Sequence, residues 1–318
     1  MRSVPALVPL LGEHNAGRPC HAPRCLGYWR VRYKVTMSAN PADLSARTFL
    51  ITGANTGIGR ATAGELARRG GRVFVACRSA DKGQAAVAEI AAATGNDSVV
   101  FLPLDLADLA SVHECAAEFL ARGEPLHVLI NNAGVAGTRG LTKDGFELGF
   151  GVNHLGHFAL TTALLDCLAA SAPSRVVTVA SDAHYQARGI DFAAVRRRTA
   201  SRTGLREYAV SKLSNVLFSA ELGRRAEGRG ITTYALHPGV VASDIWRRVP
   251  WPVRPLMTRR MLSTEQGAAT SLYCATAPEL DGVTGRFYDN GREREPSAAA
   301  TTELGRALWR HSETWTTA

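Results

Sequence analysis

Thr52-Gly53-Ala54-Asn55-Thr56-Gly57-Ile58-Gly59 is the stretch of sequence that decides the fold. It continues directly from the β-branched and apolar run Thr48–Thr52, and a helical pattern begins inside it. Glycines at such a junction allow a tight turn and let backbone N–H groups approach a pyrophosphate at the positive end of the helix. The position between strand and helix therefore predicts a dinucleotide-binding turn. No Gly-Lys-Ser/Thr follows Gly53 at P-loop spacing, which disfavours nucleoside triphosphate hydrolysis.

Short apolar runs alternate with longer helical stretches from residue 47 onward. This alternation is typical of βαβ units and predicts an α/β fold with a doubly wound parallel sheet. We expect a single Rossmann-type domain of about seven strands with helices on both faces, because several runs are apolar at every position. The longest predicted helix spans about Glu207 to Glu227. The predicted strands are Thr48–Thr52, Arg72–Cys77, Val99–Leu104, Leu126–Asn131, Arg175–Ala180, Ile231–His237 and Gly285–Tyr288.

The composition is that of a globular protein, with 46% hydrophobic and 20% charged residues in a chain of 318. The formal net charge is +9, but more than half of it lies before Met37. No nucleic-acid-binding motif accompanies this charge. We therefore interpret the arginine richness as background composition and expect no nucleic acid partner.

Residues 1–44 precede the first strand, and we expect them to be an extension of the catalytic domain 45–318. This extension is expected to be disordered or to reflect a start assigned too early, because Met37 begins a polar lead-in to the first strand. The apolar run Val4–Leu11 contains two prolines and is shorter than the ~18 residues of a membrane span. We expect no membrane span.

The six cysteines form no paired pattern. A chain of this size does not need a disulfide framework, so we expect a reducing compartment and predict a cytoplasmic location. Cys20 and Cys25 lie close to His14 and His21, but their spacing matches no zinc module. We predict no metal site.

The end of the second predicted strand indicates which cofactor is bound. Folds that bind NAD usually place an acidic residue there to hold the ribose 2′-hydroxyl, whereas this chain reads Ala76-Cys77-Arg78-Ser79. The guanidinium of Arg78 suits a 2′-phosphate, and Arg60 could add a second positive contact. We predict that NADP(H) is preferred, with NAD(H) as the alternative.

Tyr208 and Lys212 are four residues apart in a helical stretch, so their side chains lie on the same side. An ammonium close to a phenol favours the phenolate, which lowers the phenol pKa from about 10 and allows proton exchange with a substrate oxygen. Ser181 lies at the carboxyl end of a predicted strand, where ligands of such sheets bind. A tyrosine and a lysine at this spacing are common by themselves. They indicate a catalytic pair only together with the glycine turn and Ser181.

The chain resembles the short-chain dehydrogenase/reductase (SDR) family over roughly residues 46–316, and most closely its retinol dehydrogenase-like branch. Several independent motifs in the right order make this resemblance specific. The matching segments are Thr52–Gly59, Asp105, Asn131–Gly134, Val152–Phe158, Ser181, Tyr208–Lys212 and His237–Val241.

The resemblance implies an NAD(P)-dependent enzyme acting on CH–OH donors, with relatives that are commonly dimers or tetramers. Tyr208 would donate or accept the proton, and Ser181 would hydrogen-bond the reacting oxygen. Lys212 would hold the nicotinamide ribose and tune Tyr208, and Asn153 would support a water on the proton path. The implied cofactor-binding residues are Gly53, Asn55, Thr56, Gly57, Ile58, Gly59, Arg60, Arg78, Asp105, Leu106, Asn132, Ala133, Gly134, Tyr208, Lys212, Pro238, Gly239 and Val241.

Four further residues lie near the implied site in sequence, namely His154, His157, His184 and Tyr185. For each of them a packing role is favoured over catalysis, and we assign them no chemistry.

A substrate lid is expected near residues 243–263, after the predicted nicotinamide turn. Apolar side chains are concentrated there, so we expect a lipophilic alcohol or carbonyl substrate, such as a retinal-like, steroid-like or long-chain compound. These side chains are Trp246, Val249, Trp251, Val253, Leu256, Met257 and Met261.

Two other functions share parts of this pattern. A dinucleotide-binding sensor or scaffold would keep the cofactor site without chemistry, and the presence of Ser181, Tyr208 and Lys212 argues against it. A nucleotide-sugar epimerase has a similar glycine turn and Tyr/Lys pair. Its larger C-terminal substrate domain does not fit in the residues after Tyr288.

Overall fold

The fold is that of a computed structural model, which describes residues 43–241 and 262–317. Eight strands in this part of the chain form one sheet. They are β1 (Thr48–Thr52), β2 (Arg72–Cys77), β3 (Val99–Pro103), β4 (Val128–Asn131), β5 (Ser174–Val179), β6 (Ile231–His237), β7 (Arg286–Asp289) and β8 (Arg292–Glu293).

The order of the strands across the sheet is β3-β2-β1-β4-β5-β6-β7-β8. Strands β1 to β7 pair in parallel, and the short β8 pairs antiparallel with β7. The chain reverses its direction of winding between β1 and β4, and ligands of open α/β sheets bind outside the carboxyl ends of the strands at such a point. The predicted α/β class with a doubly wound sheet is confirmed.

Helices cover both faces of this sheet. They are α1 (Gly57–Arg68), α2 (Ala80–Thr94), α3 (Leu109–Ala121), α4 (Leu148–Phe150), α5 (Gly156–Ala163), α6 (Leu165–Ala170), α7 (Leu205–Arg225), α8 (Thr264–Thr276) and α9 (Thr302–Thr316). A π-helical turn at Gly151–Leu155 joins α4 to α5.

Neighbouring residues of one strand belong to different cores, which explains why the strands are apolar at every position. In β2, Val73 and Val75 pack with α1, α2 and α8, whereas Phe74 packs with α3, α5 and α7. Successive side chains of a strand point to opposite faces, and both faces of a parallel sheet are covered by helices. Burial of the side chains on both faces of the sheet holds the carboxyl ends of the strands in fixed register.

The C-terminal helix α9 packs against α7, which carries Tyr208 and Lys212. The Trp309 ring lies 4.9 Å from that of Phe158 and 6.0 Å from that of Phe218, and the Arg225 guanidinium lies 4.5 Å from the Trp309 ring. Aromatic pairs at these distances stabilise a fold beyond the area that they bury. The outer side of α7 is thus fixed by residues far along the chain.

Differences from the predicted elements are confined to their ends. Strand β3 ends one residue early, at Pro103, and α7 begins at Leu205 because Gly204 precedes it with a φ of 68°. The two-residue strand β8 was not predicted, because a strand of that length has no recognisable periodicity.

Two predicted regions fall largely outside the described residues. These are residues 1–42 of the expected extension and residues 243–261 of the expected lid. Leu44, at the end of the expected extension, is buried, and its N–H donates to the Arg69 carbonyl. Among residues 43–241 and 262–317, no helix is long and apolar enough to cross a membrane.

Candidate active site

The glycine turn between β1 and α1 has the geometry that its sequence predicts. Gly53 and Gly57 have φ values of 66° and 56°, in the left-handed region that favours glycine. A Cβ on Gly59 would lie 2.4 Å from Asn132 Nδ2 and 2.6 Å from the Gly53 carbonyl oxygen. Helix α1 can therefore begin this close to the strands only because Gly59 has no side chain.

Hydrogen bonds hold the loop after β4 against the same turn. Thr52 Oγ1 accepts hydrogen bonds from the backbone N–H groups of Asn132 and Ala133, at 3.0 and 2.9 Å. The side chain of Asn132 donates to the Thr52 carbonyl at 2.7 Å, and that of the buried Asn131 donates to Thr161 Oγ1 at 3.0 Å. The predicted cofactor-binding segments 53–59 and 132–134 are thus neighbours at the carboxyl ends of β1 and β4.

The two arginines predicted to bind a 2′-phosphate differ in their surroundings. Arg78 follows β2 and is exposed, and its guanidinium makes no ion pair within the described part of the chain. Arg60 pairs with Glu89 of α2 at 2.5 Å. Lys82 lines the same groove between α1 and α2. A phosphate in this groove would compete with Glu89 for Arg60, whereas Arg78 has no acidic partner among the described residues.

Asp105 and Leu106 follow β3, beyond its carboxyl end. Asp105 Oδ1 accepts a hydrogen bond from the Ala107 N–H at 3.0 Å, which fixes the turn and leaves the other carboxylate oxygen for a ligand. The Leu106 side chain is buried, and its carbonyl would lie 2.7 Å from a Cβ on Gly156. The Leu106 side chain and carbonyl thus pack against the core and α5, and a cofactor contact of this residue stays a prediction.

The turn after β6 lies against helix α8. Pro238 is followed by Gly239, which has a φ of 84°. Val241 pairs with Leu262 in an isolated bridge. A Cβ on Gly267 of α8 would lie 2.5 Å from Val241 Cγ2 and 3.1 Å from Ile58 Cγ1, so this turn and the glycine turn border the same helix.

Tyr208, Lys212 and Ser181 meet where β5 ends. Tyr208 and Lys212 lie one turn apart in α7, and the Ser181 side chain lies close enough to the Tyr208 phenol to lower its pKa. Ser181 Oγ accepts from the Ala183 N–H at 3.2 Å, so its own proton is free to be donated to a second partner. Lys212 Nζ donates to the Val179 carbonyl at 2.8 Å. The three predicted residues are brought together.

Burial dominates the electrostatics of this group. It raises the pKa of Tyr208, and the neighbouring Ser181 hydroxyl acts in the opposite direction. It also lowers the pKa of Lys212 to about 7. Removal from water disfavours the charged form of both groups, the phenolate of Tyr208 and the ammonium of Lys212. Lys212 alone therefore does not bring the phenol to a pKa near neutral, and the expectation from helical spacing omitted this effect.

The amide of Asn153 ties the loop after β4 to α7. Asn153 lies in the π-helical turn and is fully buried. Its Oδ1 accepts from the Val135 N–H at 2.8 Å, and its Nδ2 donates to the Val135 carbonyl at 3.0 Å and to Ser211 Oγ at 2.9 Å. Ser211 in turn donates to the Tyr208 carbonyl at 2.8 Å. The water predicted on Asn153 stays a prediction.

His184 holds the backbone of Ser181, although its place in the sequence did not indicate this role. Its Nδ1 donates to the Ser181 carbonyl at 2.6 Å, and its Nε2 accepts from the Ser297 N–H at 3.1 Å. Both bonds require the neutral ring with its proton on Nδ1. The one signal in the sequence is its position three residues after Ser181.

The site fits a nicotinamide dinucleotide. A glycine cradle that a Cβ would fill lies at the start of α1, and an unpaired guanidinium lies at the end of β2. Backbone N–H groups at a helix start are ready-made donors to phosphate. The Ser181–Tyr208 pair lies beyond the carboxyl end of β5, two strands away from β1 at the same edge of the sheet.

Comparison with known proteins agrees with this geometry. A family model described as short chain dehydrogenase matches residues 47–251. The chain belongs to the short-chain dehydrogenase family. It is therefore an oxidoreductase of the kind that acts on CH–OH donors with a nicotinamide cofactor, and the predicted resemblance is confirmed.

Several relatives of this short-chain dehydrogenase match most of its length. Human dehydrogenase/reductase SDR family member 13 is 44% identical over 299 residues, which cover 91% of this chain and 79% of the relative. Mouse retinol dehydrogenase 12 is 45% identical over 276 residues, and human retinol dehydrogenase 11 is 45% identical over 272, each covering 84% of this chain and 85% of the relative.

Solved structures of the family superpose on the dehydrogenase described here. An uncharacterised protein from Mycobacterium paratuberculosis has a TM-score of 0.70 at 36% identity, covering 87% of this chain and 95% of that one. A gluconate 5-dehydrogenase homologue from Beutenbergia cavernae, which holds NADP at low occupancy, has a TM-score of 0.64 at 27% identity, covering 79% and 97%.

Proposed function

We propose that this dehydrogenase interconverts a lipophilic alcohol and its aldehyde or ketone, and that it prefers NADP(H) to NAD(H). The observation that supports the cofactor preference is Arg78, an exposed guanidinium with no acidic partner in the described chain, at the position where an acid would bind a ribose hydroxyl. Arginine binds phosphate through two parallel hydrogen bonds, and an acid at this position would repel it.

The catalytic group can perform the proton half of such a reaction. Bound NADP(H) would supply or accept a hydride at the nicotinamide ring and, when oxidised, add a positive charge beside the phenol. Ser181 would orient the reacting oxygen through its free hydroxyl proton. Tyr208 would donate its phenolic proton to that oxygen during reduction and take it back during oxidation. Lys212, held by Val179, would fix the ribose and keep the phenol oriented.

Two exposed leucines beside the site support an apolar substrate. Leu205, three residues before Tyr208 in α7, is 53% exposed, and Leu141 is 46% exposed. The loop that carries Leu141 contacts the segment before α7, since the Gly140 N–H donates to Thr199 Oγ1 at 3.0 Å. Curated relatives at 45% identity are named as retinol dehydrogenases.

A carbonyl screen with both cofactors tests the proposal. Purified protein is mixed with NADPH or NADH and with all-trans-retinal, a ketosteroid, a long-chain aldehyde or the polar control glyceraldehyde, and nucleotide oxidation is followed by absorbance. We expect a higher kcat/KM with NADPH than with NADH, and with at least one lipophilic carbonyl than with glyceraldehyde. A preference for NADH would overturn the cofactor assignment, and turnover confined to glyceraldehyde would overturn the substrate class.

The cytoplasmic location and the assembly into a dimer or tetramer stay predictions, and we propose both for this enzyme. Fractionation of cells and sedimentation of the purified protein would test them separately.

A further inference from the structure

His157 links the glycine turn to the catalytic group through two hydrogen bonds. Its ring is fully buried at the first turn of α5. Its Nε2 lies 2.8 Å from Thr52 Oγ1, and its Nδ1 lies 2.9 Å from the Asn153 carbonyl oxygen. One bond reaches the end of β1, and the other reaches the π-helical turn that carries Asn153.

The partners of Thr52 determine where the proton of this ring lies. Thr52 Oγ1 already accepts from the N–H groups of Asn132 and Ala133, so both of its lone pairs are used. Its single proton must therefore be donated to His157 Nε2, which must be unprotonated. At the other end a carbonyl can only accept, so His157 Nδ1 must carry the proton. Two independent constraints give the same neutral tautomer.

A protonated ring would break this arrangement, because an Nε2–H would find no acceptor on Thr52. Burial and the positive charge of Lys212 on α7 both disfavour protonation, and the bond to the Asn153 carbonyl opposes them, with a resulting pKa of about 4 for His157. His154, in the π-helical turn, is the other titratable group near the ring. His157 is thus held neutral throughout the physiological pH range.

The hydrogen bond from His157 to the Asn153 carbonyl connects His157 to the residues beside Lys212. The Asn153 amide braces Val135 and Ser211, and Ser211 donates to the Tyr208 carbonyl. A Cβ on Gly134 would lie 3.3 Å from Asn153 Oδ1 and 3.5 Å from Lys212 Nζ, so Asn153 and Lys212 border the same glycine. A continuous set of hydrogen bonds runs from the glycine turn through His157 to the backbone of Tyr208.

We propose that His157 is a positioning residue, which in its neutral Nδ1–H tautomer fixes Asn153 and couples the cofactor-binding turn to the Tyr208–Lys212 pair. The kinetic part of this inference rests on the proposed oxidoreductase function. The tautomer does not depend on it. Displacement of a catalytic group by about 1 Å can reduce turnover about 100-fold, so loss of both bonds is expected to act mainly on kcat.

Nuclear magnetic resonance of the native protein tests the tautomer without any activity. Protein with 15N-labelled histidine is studied from pH 5 to pH 8, and the His157 signal is assigned by its loss in His157→Asn. Two-bond correlations are expected to show a neutral Nδ1–H ring at every pH. An Nε2–H tautomer, or a ring that becomes protonated in this range, would overturn the proposal even if the enzyme turned over well.

Three variants separate the two bonds. The amide of His157→Asn can still donate to the Asn153 carbonyl, whereas His157→Gln can reach only Thr52, and His157→Phe loses both bonds at similar volume. We expect kcat to fall about 100-fold in His157→Phe and His157→Gln, with a shifted pH profile, and His157→Asn to recover at least about tenfold.

The control is His154→Gln, a change of the neighbouring buried histidine, whose Nε2 contacts Ser312 of α9 and no residue of the site. It tests whether loss of stability alone lowers kcat, and we expect kcat to stay within about twofold of wild type. If His157→Phe does not fold, the proposal is still tested by the comparison of His157→Asn with His157→Gln and by the resonance measurement. Equal kcat values and pH profiles in wild type, His157→Asn and His157→Gln would overturn the positioning role. A wild-type enzyme without turnover would instead remove the proposed function while the tautomer result stood.

Discussion

The Ser181 hydroxyl, just after the end of β5, lowers the pKa of the neighbouring Tyr208 phenol in the first turn of α7. Burial of the phenol raises the same pKa and is the larger of the two effects. Ser181 therefore acts on the residue that we propose as the proton donor.

Replacement of these two residues should have different consequences. Tyr208→Phe removes the proton donor, and we expect kcat to fall about 1000-fold, within the range of general acid–base catalysis. Ser181→Ala leaves the phenol but removes the hydroxyl that lowers its pKa. Alcohol oxidation needs the phenolate, so its rate rises with pH through the Tyr208 pKa, and this rise should move to higher pH in Ser181→Ala. Rates of alcohol oxidation between pH 6 and pH 10 measure both effects. An unchanged kcat in Tyr208→Phe would contradict the proton role and favour a non-catalytic dinucleotide-binding protein.

The sequence predicted the sheet well because parallel strands buried on both faces have a strong signal. Each of the seven predicted strands overlaps an observed one, and β1, β2 and β6 have the predicted bounds. The grouping of Ser181, Tyr208 and Lys212 followed from where β5 ends and α7 begins. These features depend on local periodicity and on the known geometry of doubly wound sheets.

The interactions that tune the site were not predictable in the same way. The Arg60–Glu89 ion pair, the His157–Thr52 bond and the His184–Ser297 bond each join segments that are distant in the sequence. Such contacts depend on how helices pack on the sheet, which a single sequence does not specify residue by residue. The same holds for burial, which governs the pKa of Lys212.

The cofactor preference should depend on Arg78 more than on Arg60. We expect Arg78→Ala to raise the KM for NADPH about 10- to 100-fold, as loss of hydrogen bonds to a charged group would, and to leave the KM for NADH nearly unchanged. Glu89→Gln should lower the KM for NADPH, because it releases Arg60 from its ion pair. Steady-state kinetics with both nucleotides measure these changes. A similar rise for NADPH and NADH in Arg78→Ala would contradict a contact with the 2′-phosphate.

The close approach at Gly59 can be tested against a second glycine of the same helix. A Cβ on Gly59 would lie 2.4 Å from Asn132 Nδ2 and 2.6 Å from the Gly53 carbonyl, whereas a Cβ on Gly64 would meet nothing within 4 Å. Gly59→Ala should therefore destabilise the protein and weaken binding of NADPH. Gly64→Ala should stabilise it by about 0.5–1 kcal/mol, because alanine is the better helix former. Urea unfolding and NADPH titration measure the two properties. Equal behaviour of the variants would show that α1 is not packed this closely on the loop after β4.

Two buried histidines should make the protein sensitive to mild acid. Burial lowers the pKa of His154 to about 3 and that of His157 to about 4. Both side chains titrate at about 6.5 in the unfolded chain, so the unfolded state binds more protons below that pH. The free energy of unfolding should therefore be at its full value above pH 6.5 and fall as the pH falls toward 4, by up to about 1 kcal/mol per pH unit for each ring.

The variant His154→Gln isolates the contribution of His154 to this loss of stability in mild acid. The glutamine keeps a polar group near Ser312 and cannot titrate, so the variant should lose less stability than wild type between pH 7 and pH 5. This range lies above the titration of carboxylates, which would otherwise contribute a slope of the same sign. Urea midpoints at pH 7, 6 and 5 for both proteins measure the difference. If the two midpoints fell in parallel, His154 would not be held neutral by its burial among Phe150, Phe158 and Phe218.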